Sequence, residues 1–270
     1  MRKARHGITI TSIIWLLLLS AGAFLSPWLP LSDPLAIDLA EAFSPPAQDH
    51  LLGTDELGRD LLARVLFAAR STLLVAFFAA ALNVALGAIF GVIAGFFGGW
   101  ADMALSFIID LFWSVPFLIF VVLIISITGV SPVSLILTIG LINWVTAARV
   151  IRAETARIQS LDFVRTARAY GFSRSAVIFR EIMPNLSSTI WALAAFSAVE
   201  VLTLETGLAF LGLSLPAPEP TWGGLLADGL NYLASAWWIA IFTAILVIVT
   251  LGALQGLSKG LETARLIEER

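Results

Sequence analysis

Three carboxylates stand inside long apolar stretches of the chain: Asp110 in ALSFIIDLFWSVP, and Glu200 and Glu205 in SAVEVLTLETGLAF. An ionisable group at membrane depth costs about 3 kcal/mol or more unless it pairs or meets water, so each acid is a candidate for a gate, an ion path or a buried polar bond. Asp110 lies six residues before Pro116, and a proline inside a helix removes a hydrogen bond and bends the chain. One reading makes Asp110, Pro116, Glu200 and Glu205 a translocation path or gate. The other bonds them to Asn143, Trp144, Arg149 or a partner helix, and for Asp110 this second reading is preferred. A proton-coupled secondary transporter would use the same acids as a relay, but no Lys, Arg or His accompanies them within the apolar runs.

Other chemistries lack their residues. There is no cysteine, and the two histidines, His6 and His50, lie outside the apolar runs. Disulfides, thiol nucleophiles and Cys/His zinc centres are thereby removed, and no metal site is expected. A phosphate-binding loop requires Gly-Lys followed by Ser or Thr. The only lysines are Lys3 and Lys259, and the stretch from Gly256 to Lys259 has the wrong spacing. Any ATP that drives this protein is hydrolysed on another chain.

The elements that must carry these groups follow from composition. Of 270 residues 59% are hydrophobic and 13% charged, with a mean hydropathy of +0.94; a soluble domain carries about 25% charged residues. A soluble enzyme is excluded. Six apolar runs approach the roughly 20 residues that cross a bilayer: 8–25, 71–97, 104–127, 132–148, 186–211 and 236–257. Alternating strands of the barrel type do not occur, so the fold class is all-α, a polytopic bundle of six transmembrane helices. The first run, after Met1-Arg-Lys-Ala-Arg and with Ala21-Gly-Ala23 near its end, also resembles a cleavable signal. An uncleaved anchor is expected, because apolar residues continue through Phe24 and Leu25.

Charge orients the bundle, since cytoplasmic loops retain Lys and Arg. With the N-terminus inside, thirteen of the sixteen basic residues fall inside against seven acids, net +6. Outside, Arg59, Arg64 and Arg70 face nine acids, net -6. Both termini are then cytoplasmic. The expected organisation is a cytoplasmic tail and first helix (1–25), an external segment with a short amphipathic helix (26–70), a transmembrane core (71–257) with a cytoplasmic loop (149–185), and a cytoplasmic tail (258–270). The short outer helix is expected from Glu56 to Phe67, with Thr54 or Asp55 as its N-cap. Gly87, Gly91 and Gly95 share one face of the second span, where small residues admit a close neighbour. Packing within the chain is preferred over a seam between subunits. Six of the nine tryptophans lie near span ends, as in an interfacial belt, and no platform for nucleic acid is indicated.

The inner loop reads RVIRAETARIQSLDFVRTARAYGFSRSAVIFREIMPNL, with seven arginines among apolar residues. Gly171 followed by Ser173 marks one helix stopping and another being capped, a helical hairpin. On residues alone, a basic surface lying on anionic lipid and a docking site for a cytoplasmic partner stand level.

Gly171 and Pro184, thirteen apart after Ala167-Arg168-Ala169-Tyr170, resemble the EAA loop in the membrane subunits of binding-protein-dependent ABC importers. The Glu-Ala-Ala triplet of the strict signature is here Arg165-Thr166-Ala167, and its later Ile and Leu positions are Glu181 and Met183. HLLGTDELGRDLLARVLFAARSTLLV (50–75), FGVIAGFFGGWAD (90–102) and LETGLAFLGLSLPAPEPTWGGLL (204–226) are similar to the C-type permease subunits of dipeptide, oligopeptide and nickel importers. The resemblance implies the type I importer fold and a heterodimer with a homologous permease subunit. It also implies two ATPase subunits that bind ATP and magnesium, an external solute-binding protein, and residence in the inner membrane. By the same resemblance, Ala167, Arg168, Ala169, Tyr170, Gly171, Phe172, Ser173, Arg174 and Pro184 form the coupling loop. Tyr170 and Phe172 serve as its anchors, and Arg168 and Arg174 as rim contacts. Asp55, Arg59, Asp60 and Trp222 would meet the external receptor.

Overall fold

The computed structural model describes residues 2–268 apart from Ser214 and Ala217, and the side chains of 7–262 apart from those two and Trp113. The inside charges expected at Arg2, Lys3, Arg5, Arg265 and Arg270 lie outside the described side chains. Among the described residues the only regular structure is helical, joined by turns and one isolated β-bridge.

Among the described residues ten α-helices run in chain order: α1 (Arg2–Leu25), α2 (Leu61–Phe97), α3 (Gly99–Ser114), α4 (Phe117–Thr128), α5 (Pro132–Gln159), α6 (Asp162–Ala169), α7 (Arg174–Val177), α8 (Met183–Phe210), α9 (Trp222–Asn231) and α10 (Trp237–Glu268). Five helical stretches are long and apolar enough to cross a membrane, and α3 with α4 completes a sixth if that bent pair is one span. The bend is 80°. Its cause is local: proline forces the residue before it out of the helical region, and Val115 is extended at φ -101°, ψ 127°. The kink expected at Pro116 is therefore a break between two helices.

The second span differs from expectation at its outer end. No separate helix occupies 56–67. Residues 54–60 form a tight turn, and α2 starts at Leu61, capped by Asp60, whose Oδ1 accepts from Ala63 N at 2.8 Å. Asp55 cannot cap this helix, because its Oδ1 already accepts from the amides of Leu57 and Arg59 inside the turn. From Leu61 the helix continues unbroken for 37 residues, about 55 Å at 1.5 Å per residue.

The glycine stripe of α2 packs within the chain. A β-carbon at Gly87 would come within 2.5 Å of the Ala147 β-carbon, at Gly91 within 2.8 Å of the Ala148 carbonyl, and at Gly95 within 2.5 Å of the Arg152 carbonyl. α2 and α5 thus meet backbone to backbone, the most extensive helix contact in the molecule. α1 packs on α10, where Trp15 Nε1 donates to Thr250 Oγ1 at 3.2 Å. A large cluster around Leu61, Val65, Leu135, Ile139, Leu202, Trp222 and Ile239 fills one half of the bundle. A second, around Val92, Phe96, Ile151, Ile158 and Leu186, fills the end that carries the hairpin.

Candidate functional site

α5 runs eleven residues past Ala148 to Gln159, and the turn at Ser160-Leu161 sends the chain back as α6. The end of α6 is a Schellman motif: Phe172 N donates to Ala167 O at 3.2 Å and Gly171 N to Arg168 O at 3.0 Å. Gly171 has φ +81°, and a β-carbon there would meet nothing within 4 Å. Backbone conformation, not crowding, calls for glycine. Ser173 then caps α7, its Oγ accepting from Ala176 N at 3.2 Å. The stop at Gly171 and the cap at Ser173 stand where the spacing puts them.

The hairpin has an inner and an outer side. Val164 and Val177 join Phe96, Ile158, Ile182 and Leu186 in one buried cluster, and Ala167 is buried as well. Arg168 and Arg174 turn back onto α2: their guanidinium carbons lie 4.8 Å from the Phe96 ring centre and 5.8 Å from that of Phe97. They are cation–π struts between the hairpin and the last turn of the second span. At the tip Tyr170 is 80% exposed and Phe172 partly exposed; Phe163, at the start of α6, is partly exposed, and Phe179, beyond α7, is 70% exposed. A solvated loop does not ordinarily hold four aromatic rings in water.

Beyond α7 the helix widens. Residues Ile178–Ile182 form a π-helical turn, and Met183 N donates to Ile178 O. Pro184 explains it: lacking an N–H and carrying a ring that presses on the carbonyl four residues back, it is accommodated by one wide turn. Pro184 is thus a joint between the hairpin and α8.

A cavity of about 580 Å³ opens where the α3–α4 break faces α5 and α8. Phe112, Pro116 and Phe117 line one wall, Asn143 and Thr146 a second, and Phe196, Glu200 and Thr203 a third. Of the expected path residues, Pro116 and Glu200 reach it. Asp110 does not: it is exposed and lies 3.4 Å from Arg149 Nη2, one of the partners the structural reading offers. Glu205 is five residues, or about 140° of helix, from Glu200. It is 2% exposed and lies where α8 packs on Gly223 of α9. Arg152 pairs with Asp102 through Nε and Nη2, the latter reaching Oδ2 at 2.8 Å, which ties α5 to the start of α3.

At the other end, Asp55 sits between two guanidiniums, Arg59 Nε at 2.7 Å and Arg64 Nη1 at 2.6 Å, and all three are buried. Arg59 also reaches Glu56 Oε1 at 2.7 Å. Asp60, besides capping α2, lies 2.8 Å from His50 Nδ1. Trp222 is wholly buried, its indole N–H donating to Val65 O at 3.1 Å. Gly58, at φ +72°, leaves no room for a β-carbon beside the Asp38 carbonyl. Partial burial pushes the carboxyls of Glu56 and Asp228 above the ordinary range.

Residues 87–262 match the family described as binding-protein-dependent transport system inner membrane component. The chain belongs to that family. It is 30% identical over 264 residues to the dipeptide transport system permease protein DppC of Bacillus subtilis, an alignment covering 97% of this chain and 82% of that protein. Against the oligopeptide transport system permease protein OppC of the same species it is 29% identical, covering 98% and 87%. Against OppC of Haemophilus influenzae it is 34% identical over 215 residues, covering 80% and 69%.

As a member of this family the chain is the permease part of an ABC importer, not an enzyme, and ATP hydrolysis belongs to partner subunits. Nothing in the match supports a proton-coupled carrier. Asp55, Arg59, Asp60 and Trp222, expected to meet the external receptor, are buried and bonded within the chain, where they clasp the outer segment. The π-turn at 178–182 and the two cation–π struts were missed. Pro184 carried a signal for the first, and the Phe96-Phe97 pair at the end of the second span carried one for the second.

Proposed function

We propose that the chain forms half of a translocation path for peptides or a related small solute, nickel or a metal chelate among them, paired with a homologous permease subunit in the inner membrane. Two ATPase subunits, binding ATP and magnesium, engage the hairpin, and an external solute-binding protein delivers cargo to the acidic side. The observation that carries this is the hairpin: a glycine turn with Tyr170 and Phe172 exposed at its tip and Phe179 exposed beyond α7, on a loop braced against the second span. Exposed aromatics around a rigid turn are the anchors of a protein contact rather than of a loop in solvent.

Span parity and the distribution of basic residues support this orientation. Taking α3 and α4 together as one span puts the 149–185 loop on the same side as both termini, and thirteen of sixteen basic residues with it. Two of the three outer arginines, Arg59 and Arg64, are paired with Asp55 and Glu56. Closure of the ATPase pair would push the hairpin, and the struts to Phe96 and Phe97 and the joint at Pro184 would carry that movement into α2 and α8. The cavity at the α3–α4 break would then open to alternate sides. Purification in mild detergent tests the reading: an ATPase subunit co-purifies, and the reconstituted complex takes up solute only with ATP and the binding protein present. A chain that purifies without an ATPase contradicts it.

A further inference from the structure

Glu200 is the only ionisable side chain lining the 580 Å³ cavity, and among the described residues nothing bonds to it. It lies ten residues, about 15 Å, from the end of α8 at Phe210, well inside the helix bundle. A carboxylate there is costly unless a proton or a cation neutralises it. Its neighbours suit a cation: the rings of Phe112, Phe117 and Phe196 line the same space, and Asn143 and Thr203 add neutral polar groups without adding charge. The faces of such rings attract ammonium and guanidinium groups, and the cavity offers no basic side chain that would repel them.

We infer that Glu200 is a specificity-determining residue that pairs with a cationic group of the transported solute, the amino terminus of a peptide or a basic side chain. This rests on the peptide reading above. The cation arrives with the cargo, neutralises Glu200 while the cavity is closed, and leaves with the cargo when it opens. Solutes without a cation leave the carboxylate uncompensated and are carried poorly.

The test uses the intact complex with its binding protein in proteoliposomes. The probe is an equimolar lysine-free library of di- to pentapeptides, with free or acetylated amino termini, read by mass spectrometry. Wild type takes up free peptides at least about tenfold better than acetylated ones lacking arginine, as expected for one charge-assisted contact of about 1.5–3 kcal/mol. If the terminus is the group read, acetylated peptides with arginine are also excluded; if any cation serves, they are carried. Glu200→Gln flattens the ratio by lowering uptake of the cationic set, and Glu200→Asp, which keeps the charge, preserves it. In the wild-type complex, carbodiimide modification of Glu200 is slowed by the free library and not by the acetylated, arginine-free one. Equal ratios in wild type and Glu200→Gln, or equal protection by both libraries, overturn the assignment. A wild-type complex that carries neither library refutes the peptide reading instead.

Discussion

Replacing Gly171 by Ala and, separately, by Trp isolates the role of the hairpin tip. Both substitutions hold a side chain at φ +81°, a left-handed conformation that costs an L-residue about 1–2 kcal/mol. Beyond the β-carbon the two differ greatly in size, yet nothing in this chain lies within 4 Å of that position. The thermal stabilities of the two purified variants should therefore fall together and agree within about 0.5 kcal/mol. At a closely fitted contact with another subunit the larger ring adds overpacking of about 1–3 kcal/mol, a further fivefold to hundredfold loss. The assay is ATP-dependent uptake by the reconstituted complex, with ATPase co-purification measured alongside. Gly171→Ala should retain uptake within about tenfold of wild type, whereas Gly171→Trp loses both uptake and the ATPase while still inserting in the membrane. Equal uptake by the two variants would refute the docking argument, because the strain they share would then be the whole effect.

Other predictions address the supports of the site. Asp55→Asn leaves Arg59 and Arg64 buried without their common counter-ion and should destabilise the chain by about 3–5 kcal/mol, read as a lowered melting temperature in detergent; an unchanged melting temperature contradicts the clasp. Asp228, held by partial burial above the ordinary carboxyl range, binds its proton in the folded chain at a higher pH than in the unfolded one. Its contribution therefore destabilises the fold at neutral pH and fades as the pH falls toward the ordinary range. Asp228→Asn should accordingly stabilise the chain at pH 7 and have no effect near pH 3.5, as measured by thermal melts at both. A double-mutant cycle between Arg168→Ala and Phe96→Leu should return a coupling of about 0.5–1 kcal/mol, and Arg168→Ala should raise the ATP consumed per solute carried without releasing the ATPase. Additive effects would remove the strut.

Much of the hairpin was legible because it is built from local signals: Gly171 with its positive φ, Ser173 as a cap, and Pro116 and Pro184 as interruptions all act within a turn or two of themselves. The spans were legible from apolar length. What lay beyond reach was azimuth. In a membrane helix nearly every face is apolar, so Glu200 and Glu205 read alike, although one faces a cavity and the other lies buried beside α9. The outer clasp is out of reach for a related reason. Asp55, Arg59, Asp60 and Trp222 are residue types that decorate exposed loops, and only the fold of the outer segment brings each to its partner: Asp55 to Arg59 and Arg64, Asp60 to His50, and Trp222 to the Val65 carbonyl. The glycine stripe was the favourable case, since small residues at a spacing of four admit a close helix whatever its identity, and here that helix is α5.

The central claim is that the arginine-rich hairpin lies in the cytoplasm, within reach of the ATPase. The chain has no cysteine, so single cysteines report position without background. Ser175→Cys on the hairpin and Leu51→Cys in the outer segment are both exposed in the structure. With a membrane-impermeant maleimide on intact cells lacking an outer-membrane barrier, Leu51→Cys should label at once and Ser175→Cys only after the membrane is opened. Labelling of Ser175→Cys in sealed cells would contradict the account.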